Sequence, residues 1–557
     1  MAALSQAAAS ERSLPAASQA ASPTSVDMAA PDPRRWLGLL ALSISVLTVI
    51  MTSTPVNLAL PAIGGAFGVS VSNLTWVIDA YSLALGALTL PGGILGDIFG
   101  RRRMYLIGLA IFSLGALSGS AAPDLGMLIA SRVAMGMGAA LVLPGTLSLI
   151  SAMFVGRERT TAIGLWGGMN GLGLAIGPVL GGAMVEYVDW RAVFWVNVPL
   201  VLIAFFMVPR YVPAVAPRPG KHYLDILGGL SITAGLVALI VALIEGPSWG
   251  WTDAATVGCF GLAAVLIVAF MAIEARAAQP MVPLHLFRSR TFCAANLAAA
   301  AMMLGILGCF FFLSLFLQEV LGFSALRTGM AYLPLAIFIV VLAPLAGRLS
   351  ARFGPRLPMA TGLLCLTAGV LWISRVDGNS GYSSLIGGLL LAGAGLGLAS
   401  PPISNAAISS VPPAFAGAAS GVTNMFRQVG GSVGVALLTA LFAGHFKDHL
   451  TAELGHSALP VAVQQRALQA ATASTGTGAA PARDALGRQI QGLVHIAFAD
   501  GMGDTLTVFA ALAALGVLAA LLVRRSDFVA GRPVSSGILA PPVAVVPVKA
   551  AGRRASR

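Results

Sequence analysis

Fourteen separate stretches of this chain are long and apolar enough to cross a lipid bilayer, and that count leaves few folds open. A hydrocarbon core about 30 Å thick needs about 20 apolar residues at a helical rise. In lipid, backbone polar groups must be satisfied within the segment, so helices are the expected form. The stretches fall at roughly 36–60, 75–97, 104–122, 126–151, 160–184, 192–208, 224–245, 254–274, 292–317, 327–347, 357–375, 383–407, 415–442 and 502–523. Pro55, Pro91, Pro178 and Pro334 lie inside them, which membrane helices tolerate. Only 10% of the 557 residues are charged, against about a quarter in a soluble chain, so most of the surface must face lipid. The expected class is an all-α integral membrane protein with 14 transmembrane helices.

The charges set an orientation. With the N-terminus in the cytoplasm, the inner segments hold 24 of the 33 Lys and Arg residues and the outer segments 7, with Arg132 and Arg427 inside spans. Positive residues gather on the cytoplasmic side, which predicts cytoplasmic N- and C-termini. The net charge of +12 is dealt out between apolar runs and not gathered on one face, so no nucleic acid partner is expected. Cys259, Cys293, Cys309 and Cys365 show no metal or disulfide spacing.

The chain also repeats itself. GILGDIFGRR at 93–102 matches GRLSARFGPR at 347–356 in five of ten positions, an offset of 254 residues, and GMGAALVLP at 136–144 echoes GAGLGLASP at 393–401 at an offset of 257. Two halves of like topology are a common plan for secondary transporters. Asp97 of the first copy corresponds to Ala351 in the second. The expected organisation is a disordered cytoplasmic tail at 1–35, a six-helix bundle at 36–208 and a linker with helices 7 and 8 at 209–274. A second six-helix bundle follows at 275–525, with a long extracytoplasmic loop at 443–501, and a disordered tail closes the chain at 526–557.

GGILGDIFGRRR, residues 92–103, puts one carboxylate and three arginines into a glycine-rich link. It resembles the signature loop between the second and third helices of the major facilitator superfamily, and other motifs follow in that family's order. Arg132 with Gly136 and Gly138 resembles the fourth-helix arginine motif. GLGLAIGPVLGG at 171–182, carrying Gly171, Gly173, Gly177, Pro178, Gly181 and Gly182, is similar to the fifth-helix motif of antiporters. DWRAVFWVNVP at 189–199 resembles a stretch characteristic of the fourteen-helix drug:proton antiporters of EmrB/QacA type.

The resemblance covers about residues 36–525. It implies the major facilitator fold, two six-helix bundles plus two linker helices, rocking to expose a central cavity to alternate sides. It also implies a conformational latch of Gly93, Asp97, Gly100, Arg101 and Arg102, in which the carboxylate pairs with a helix N-terminus of the other bundle and a nearby arginine. A helix N-terminus carries about half a positive charge, which an anion stabilises. Two positions depart from the family pattern: Ile98 follows Asp97 where a basic residue is common, and Thr52 in MTSTPVNLALP stands where the first helix usually has an acid.

Asp79, in WVIDAYSL near the outer end of the second span, reads as a helix-start carboxylate or a proton carrier. The resemblance supports the second reading, since Thr52 is neutral. Arg132 lies about two turns inside its span, where a charge costs about 2.5–3.5 kcal/mol, so an unpaired lipid-facing arginine is not expected: it either faces the cavity and couples to Asp79 or forms a static structural pair. Glu245, in IEGPSWGW, is expected to anchor at the outer interface with Trp249 and Trp251. Arg427, in NMFRQVGG, is open between pairing with a carboxylate, binding an anionic group and reaching to the inner surface.

The function these residues imply is a proton-coupled efflux antiporter for amphipathic drugs or toxic small molecules in the cytoplasmic (inner) membrane. The proton gradient is its energy source and no cofactor is expected. Its partners would be the substrate, protons and the lipid bilayer, with a periplasmic adaptor left open. The alternative is a dedicated exporter of one metabolite or self-made antibiotic on the same fold. A membrane enzyme or a non-transporting sensor ranks behind both, because no H-E-x-x-H, G-x-S-x-G or Walker G-x-x-x-x-G-K sequence is present.

Overall fold

The computed structural model describes residues 34–524 apart from 53–54, 69–70, 215–225, 278–279, 281, 379, 413–414, 458 and 474–484. The tails expected at 1–35 and 526–557 lie outside the described residues, save Arg34 and Arg35. The described residues are helical, without a strand. The first part of the chain forms α1 (Arg35–Met51), α2 (Pro55–Phe67), α3 (Val71–Phe99), α4 (Arg101–Ser120), α5 (Leu125–Met153), α6 (Gly156–Tyr187), α7 (Ala192–Trp195) and α8 (Asn197–Tyr211). α9 (Ile226–Trp249) and α10 (Ala254–Arg276) follow. The rest is α11 (Arg290–Leu315), α12 (Ala325–Ala331), α13 (Leu333–Phe353), α14 (Arg356–Ile373), α15 (Tyr382–Ser409), α16 (Ala416–His456), α17 (Val461–Ala473) and α18 (Ala485–Leu521).

Among the described residues, 13 helices are long and apolar enough to cross a membrane. The stretch expected at 36–60 is divided between α1, of 17 residues, and α2, which opens on Pro55. Proline lacks the N–H that would continue α1 but suits the first position of a new helix. α3 and α4 are separated by Gly100 alone, at φ 98°, a conformation that glycine adopts without a steric penalty.

Two buried apolar clusters organise these helices. One draws on residues between Leu39 and Val212 and admits Ile408 and Ala416 from later in the chain. The other draws on residues between Ile232 and Val523 and admits Ala87, Leu90 and Ile94 of α3. The clusters meet along two seams, α3 against α16 and α6 against α13. α9 packs on α3 and α16, while α10 packs chiefly on α9 and turns Val257, Leu262, Val265 and Val268 outward, as a lipid-facing helix would.

The stretch expected as a long loop at 443–501 is instead largely helical. α16 has 41 residues and α18 has 37, about 60 and 55 Å at 1.5 Å per residue, so both outrun a bilayer core. The reason is a helical period in the polar region: Phe442, Phe446, Leu450 and Leu454 recur every four residues, each at most 2% exposed. They belong to the same buried cluster as Val494, Ala497 and Phe498 of α18. The Phe442 and Phe498 rings stand 5.1 Å apart, and His449 Nε2 lies 2.8 Å from Asp504 Oδ2.

Candidate functional site

The link that carries most charge is built from the ends of three helices. Asp97 sits in the last turn of α3 and is 7% exposed. Its Oδ1 accepts from Arg101 Nε at 2.8 Å, one turn on, and its Oδ2 accepts from the backbone N–H of Ala418 at 3.2 Å. Ala418 lies in the first turn of α16, which has no side-chain cap of its own from Phe415, so the carboxylate meets N–H groups that lack an intrahelical partner. Close approach depends on two glycines. A Cβ at Gly93 would lie 2.5 Å from the Gly417 carbonyl oxygen, and one at Gly417 would press into the Asp97 carboxylate. Arg102 turns elsewhere: its Nη1 donates to the carbonyls of Val212 at 3.0 Å and Pro209 at 3.3 Å, tying α4 to the end of α8.

The repeat noted in the sequence has a counterpart in these contacts. Gly347, 254 residues after Gly93, packs its Cα face on Thr160 and Gly164 of α6. Thr160 in turn precedes Gly417 by 257 residues. At this second seam Ala351 stands where Asp97 stands in the first.

Arg132, on α5, is fully buried. Its Nε donates to the Val77 carbonyl at 2.8 Å, and its guanidinium lies 4.4 Å from the centre of the Tyr81 ring, a cation–π contact. Both Nη atoms are buried with no hydrogen-bond partner among the described residues. Tyr81 donates to the Val49 carbonyl of α1 at 3.0 Å. Asp79 falls on α3 between these two contacts, and its side chain lies outside the described residues.

Thr52, the neutral residue at the break after α1, is 1% exposed. Its hydroxyl lies 2.7 Å from Asn197 Oδ1 and 2.9 Å from the Thr48 carbonyl, while Asn197 Nδ2 donates to Val193 and Phe194. Sequence reasoning did not single out Asn197. The signal was there: a lone amide in FWVNVPLVL must find partners if it is buried.

The glycines of α6 serve both sides of that helix. Gly173 faces the Leu47 carbonyl of α1, and Gly181 faces Pro55, where an added Cβ would lie 2.6 Å from Cα. Gly171 packs on the Ile339 side chain of α13, and the backbone at Pro178 faces Gly329 of α12. Gly177 and Gly182 are buried. Glu245 is half-buried near the end of α9, one residue before Gly246, which packs on the Trp251 ring. Arg427 donates through Nη2 to Ser404 Oγ at 2.6 Å and to the Ser400 carbonyl at 3.4 Å, both on α15.

The comparisons with known proteins agree on one family. The profile described as Major Facilitator Superfamily matches residues 42–435. The chain is 33% identical to the tetracenomycin C resistance and export protein of Streptomyces glaucescens, over 89% of this chain and 92% of that one. It is 38% identical to the puromycin resistance protein pur8 of Streptomyces alboniger, over 76% and 85%. It is 33% identical to the multidrug efflux pump LfrA of Mycolicibacterium smegmatis, over 88% and 95%. In fold it resembles the human organic anion transporter MFSD10 (TETRAN), with a TM-score of 0.59 at 14% identity, covering 88% of this chain and all of that one.

Proposed function

The chain belongs to the Major Facilitator Superfamily, as a multi-pass transporter of the cytoplasmic membrane and not an enzyme, and from that premise we propose that it exports amphipathic small molecules in exchange for protons. The observation that carries this reading is the Asp97 contact. A carboxylate of the first cluster's α3 holds the N-terminus of the second cluster's α16, and such a contact exists only while that end of the molecule is shut. Making and breaking it is what alternating access requires. The fold behind it would be two six-helix bundles with α9 and α10 as the extra pair, the first span broken at Thr52, and both termini in the cytoplasm.

Proton coupling is assigned to Asp79, with Arg132 as its positioning residue. Support comes from the two buried Nη atoms of Arg132, which have no hydrogen-bond partner among the described residues, on a side chain held to the helix that carries Asp79 by the bond to Val77. The small-residue track of α6, from Gly171 to Gly182, is the surface on which the bundles and the broken first helix re-pack. Glu245 anchors the outer end of α9, and Arg427 braces α16 on α15.

A second reading, a dedicated exporter of one metabolite or antibiotic, is supported by Thr52. The first helix offers a neutral hydroxyl tied to Asn197 where a carboxylate would attract cations. Proteoliposomes loaded with a pH-sensitive dye test both readings. Proton movement on adding varied amphipathic compounds, abolished in Asp79→Asn, is the expected result. Movement with one compound class alone would favour the dedicated exporter, and cargo transport without any pH or voltage gradient would overturn proton coupling.

A further inference from the structure

The three consecutive arginines of α4 go to three different places. Arg101 turns to Asp97, and Arg102 to the carbonyls at the end of α8. Arg103 is exposed, and no ion pair among the described residues includes it. It heads a face of α4 that continues at spacings of three and four through Ile107, Ala110, Leu114 and Leu117, of which Leu114 is 66% exposed. An outward apolar stripe on a spanning helix faces acyl chains, and a cation at its head stands at headgroup level.

Beside Arg103 is a cavity of about 600 Å³, lined by Phe99, Gly100, Arg102, Arg103, Leu106 and Ile107 among others. Gly100 opens α4 without a side-chain cap, and Gly100, Arg102 and Arg103 all line the cavity, so the N-terminal end of α4, where N–H groups lack intrahelical acceptors, lies beside it. The cavity thus joins a guanidinium fork, a helix N-terminus and an apolar wall. Phosphate suits the first two, because a guanidinium pairs bidentately with its oxygens and a helix N-terminus favours an anion. The apolar wall suits only a phosphate that carries hydrocarbon.

We propose that this cavity binds the phosphate of an anionic phospholipid, with Arg103 as its counter-ion and the acyl chains lying along Ile107 and Leu114. Its occupancy does not depend on what the protein exports. A free phosphate would share the polar partners but leave the apolar wall unused.

The test uses the full-length protein, delipidated in detergent and titrated with phosphatidylglycerol or phosphatidylcholine, with retained lipid counted by native mass spectrometry. Phosphatidylglycerol is expected to bind about fivefold tighter than phosphatidylcholine, the factor one arginine at a membrane surface supplies. Arg103→Gln should abolish the difference and Arg103→Lys should keep most of it. Ile107→Trp, which fills the cavity without changing charge, should weaken both lipids, and Arg157→Gln, at another exposed arginine, should change neither. Equal preference for phosphatidylglycerol in Arg103→Gln, or its displacement by millimolar inorganic phosphate, would overturn the proposal.

Discussion

Replacing Asp97 by Asn removes one charge and few atoms, so its effect isolates the seam contact. The carboxylate and Arg101 side chains are 6% and 11% exposed, which shields their attraction from water. The amide introduced by Asp97→Asn would keep an oxygen for the Ala418 N–H but lose the charge that strengthens that bond and faces the N-terminus of α16, the part of the contact that crosses the seam; the bond to Arg101 lies on one side of it. A hydrogen bond to a charged acceptor exceeds a neutral one by about 1 kcal/mol, and an anion at a shielded helix N-terminus contributes about 1 kcal/mol more, so the closed seam should lose about 2 kcal/mol, roughly 30-fold in the equilibrium between closed and open forms.

A cysteine at Ser420 reads that equilibrium, because Ser420 is fully buried one turn along α16 from Gly417. With Cys259, Cys293, Cys309 and Cys365 replaced by Ser, alkylation of Ser420→Cys by a polar maleimide should speed up by about 30-fold in Asp97→Asn while the open form stays rare. Gly417→Ala provides an independent route. Its methyl would lie 2.5 Å from Asp97 Oδ2, displacing the carboxylate without altering any charge, and should speed alkylation as well. Reactivity within threefold of the parent in both variants would refute the view that this contact holds the seam shut.

Two further outcomes follow from packing. Thr52→Val leaves Asn197 Oδ1 without the hydroxyl that stands 2.7 Å away; a buried acceptor stranded in this way costs about 1–3 kcal/mol. The thermal midpoint of the purified protein should fall in Thr52→Val and hold in Thr52→Ser, and an unchanged midpoint in the valine variant would show the bond to be dispensable. Gly181→Ala would drive a methyl into Pro55, whereas Gly444→Ala on α16 meets nothing within 4 Å. Transport in proteoliposomes should drop sharply in the first variant, while the second gains at most about 1 kcal/mol of helix stability; equal transport by the two would remove α6 packing as a requirement.

Much of this architecture was legible because lipid imposes a blunt rule on sequence: long apolar runs and arginines at one end. The charged link at 92–103 could be read as a working part for the same reason, since charge is scarce elsewhere. What stayed hidden depended on partners far away in the chain. Thr52 and Asn197 are 145 residues apart, and neither side chain announces the other. The separate destinations of Arg101, Arg102 and Arg103 come from α3, α8 and the lipid-facing side of α4, which surround one helical turn. The extension of α16 was readable in principle: Phe442, Phe446, Leu450 and Leu454 keep a helical period, but Lys447, Asp448 and His449 lower the average that a hydropathy scan sees.

The two seams of the molecule are alike in backbone and unlike in charge, and that difference has a mechanical consequence. Gly93 lies against Gly417, and Gly347 against Thr160, through contacts in which main-chain carbonyls meet glycine Cα faces. Such contacts are set by shape and respond weakly to salt, pH or a bound ion. Among the described residues, only the first seam adds a buried carboxylate, paired with an arginine two residues before an exposed one; the second has Ala351 at that place. A charged signal at the arginine-rich end therefore acts on the α3–α16 seam and leaves α6–α13 to follow by packing. Introducing an acid at Ala351 would give the second seam a control it does not have, and would slow opening at that end without touching the Asp97 contact.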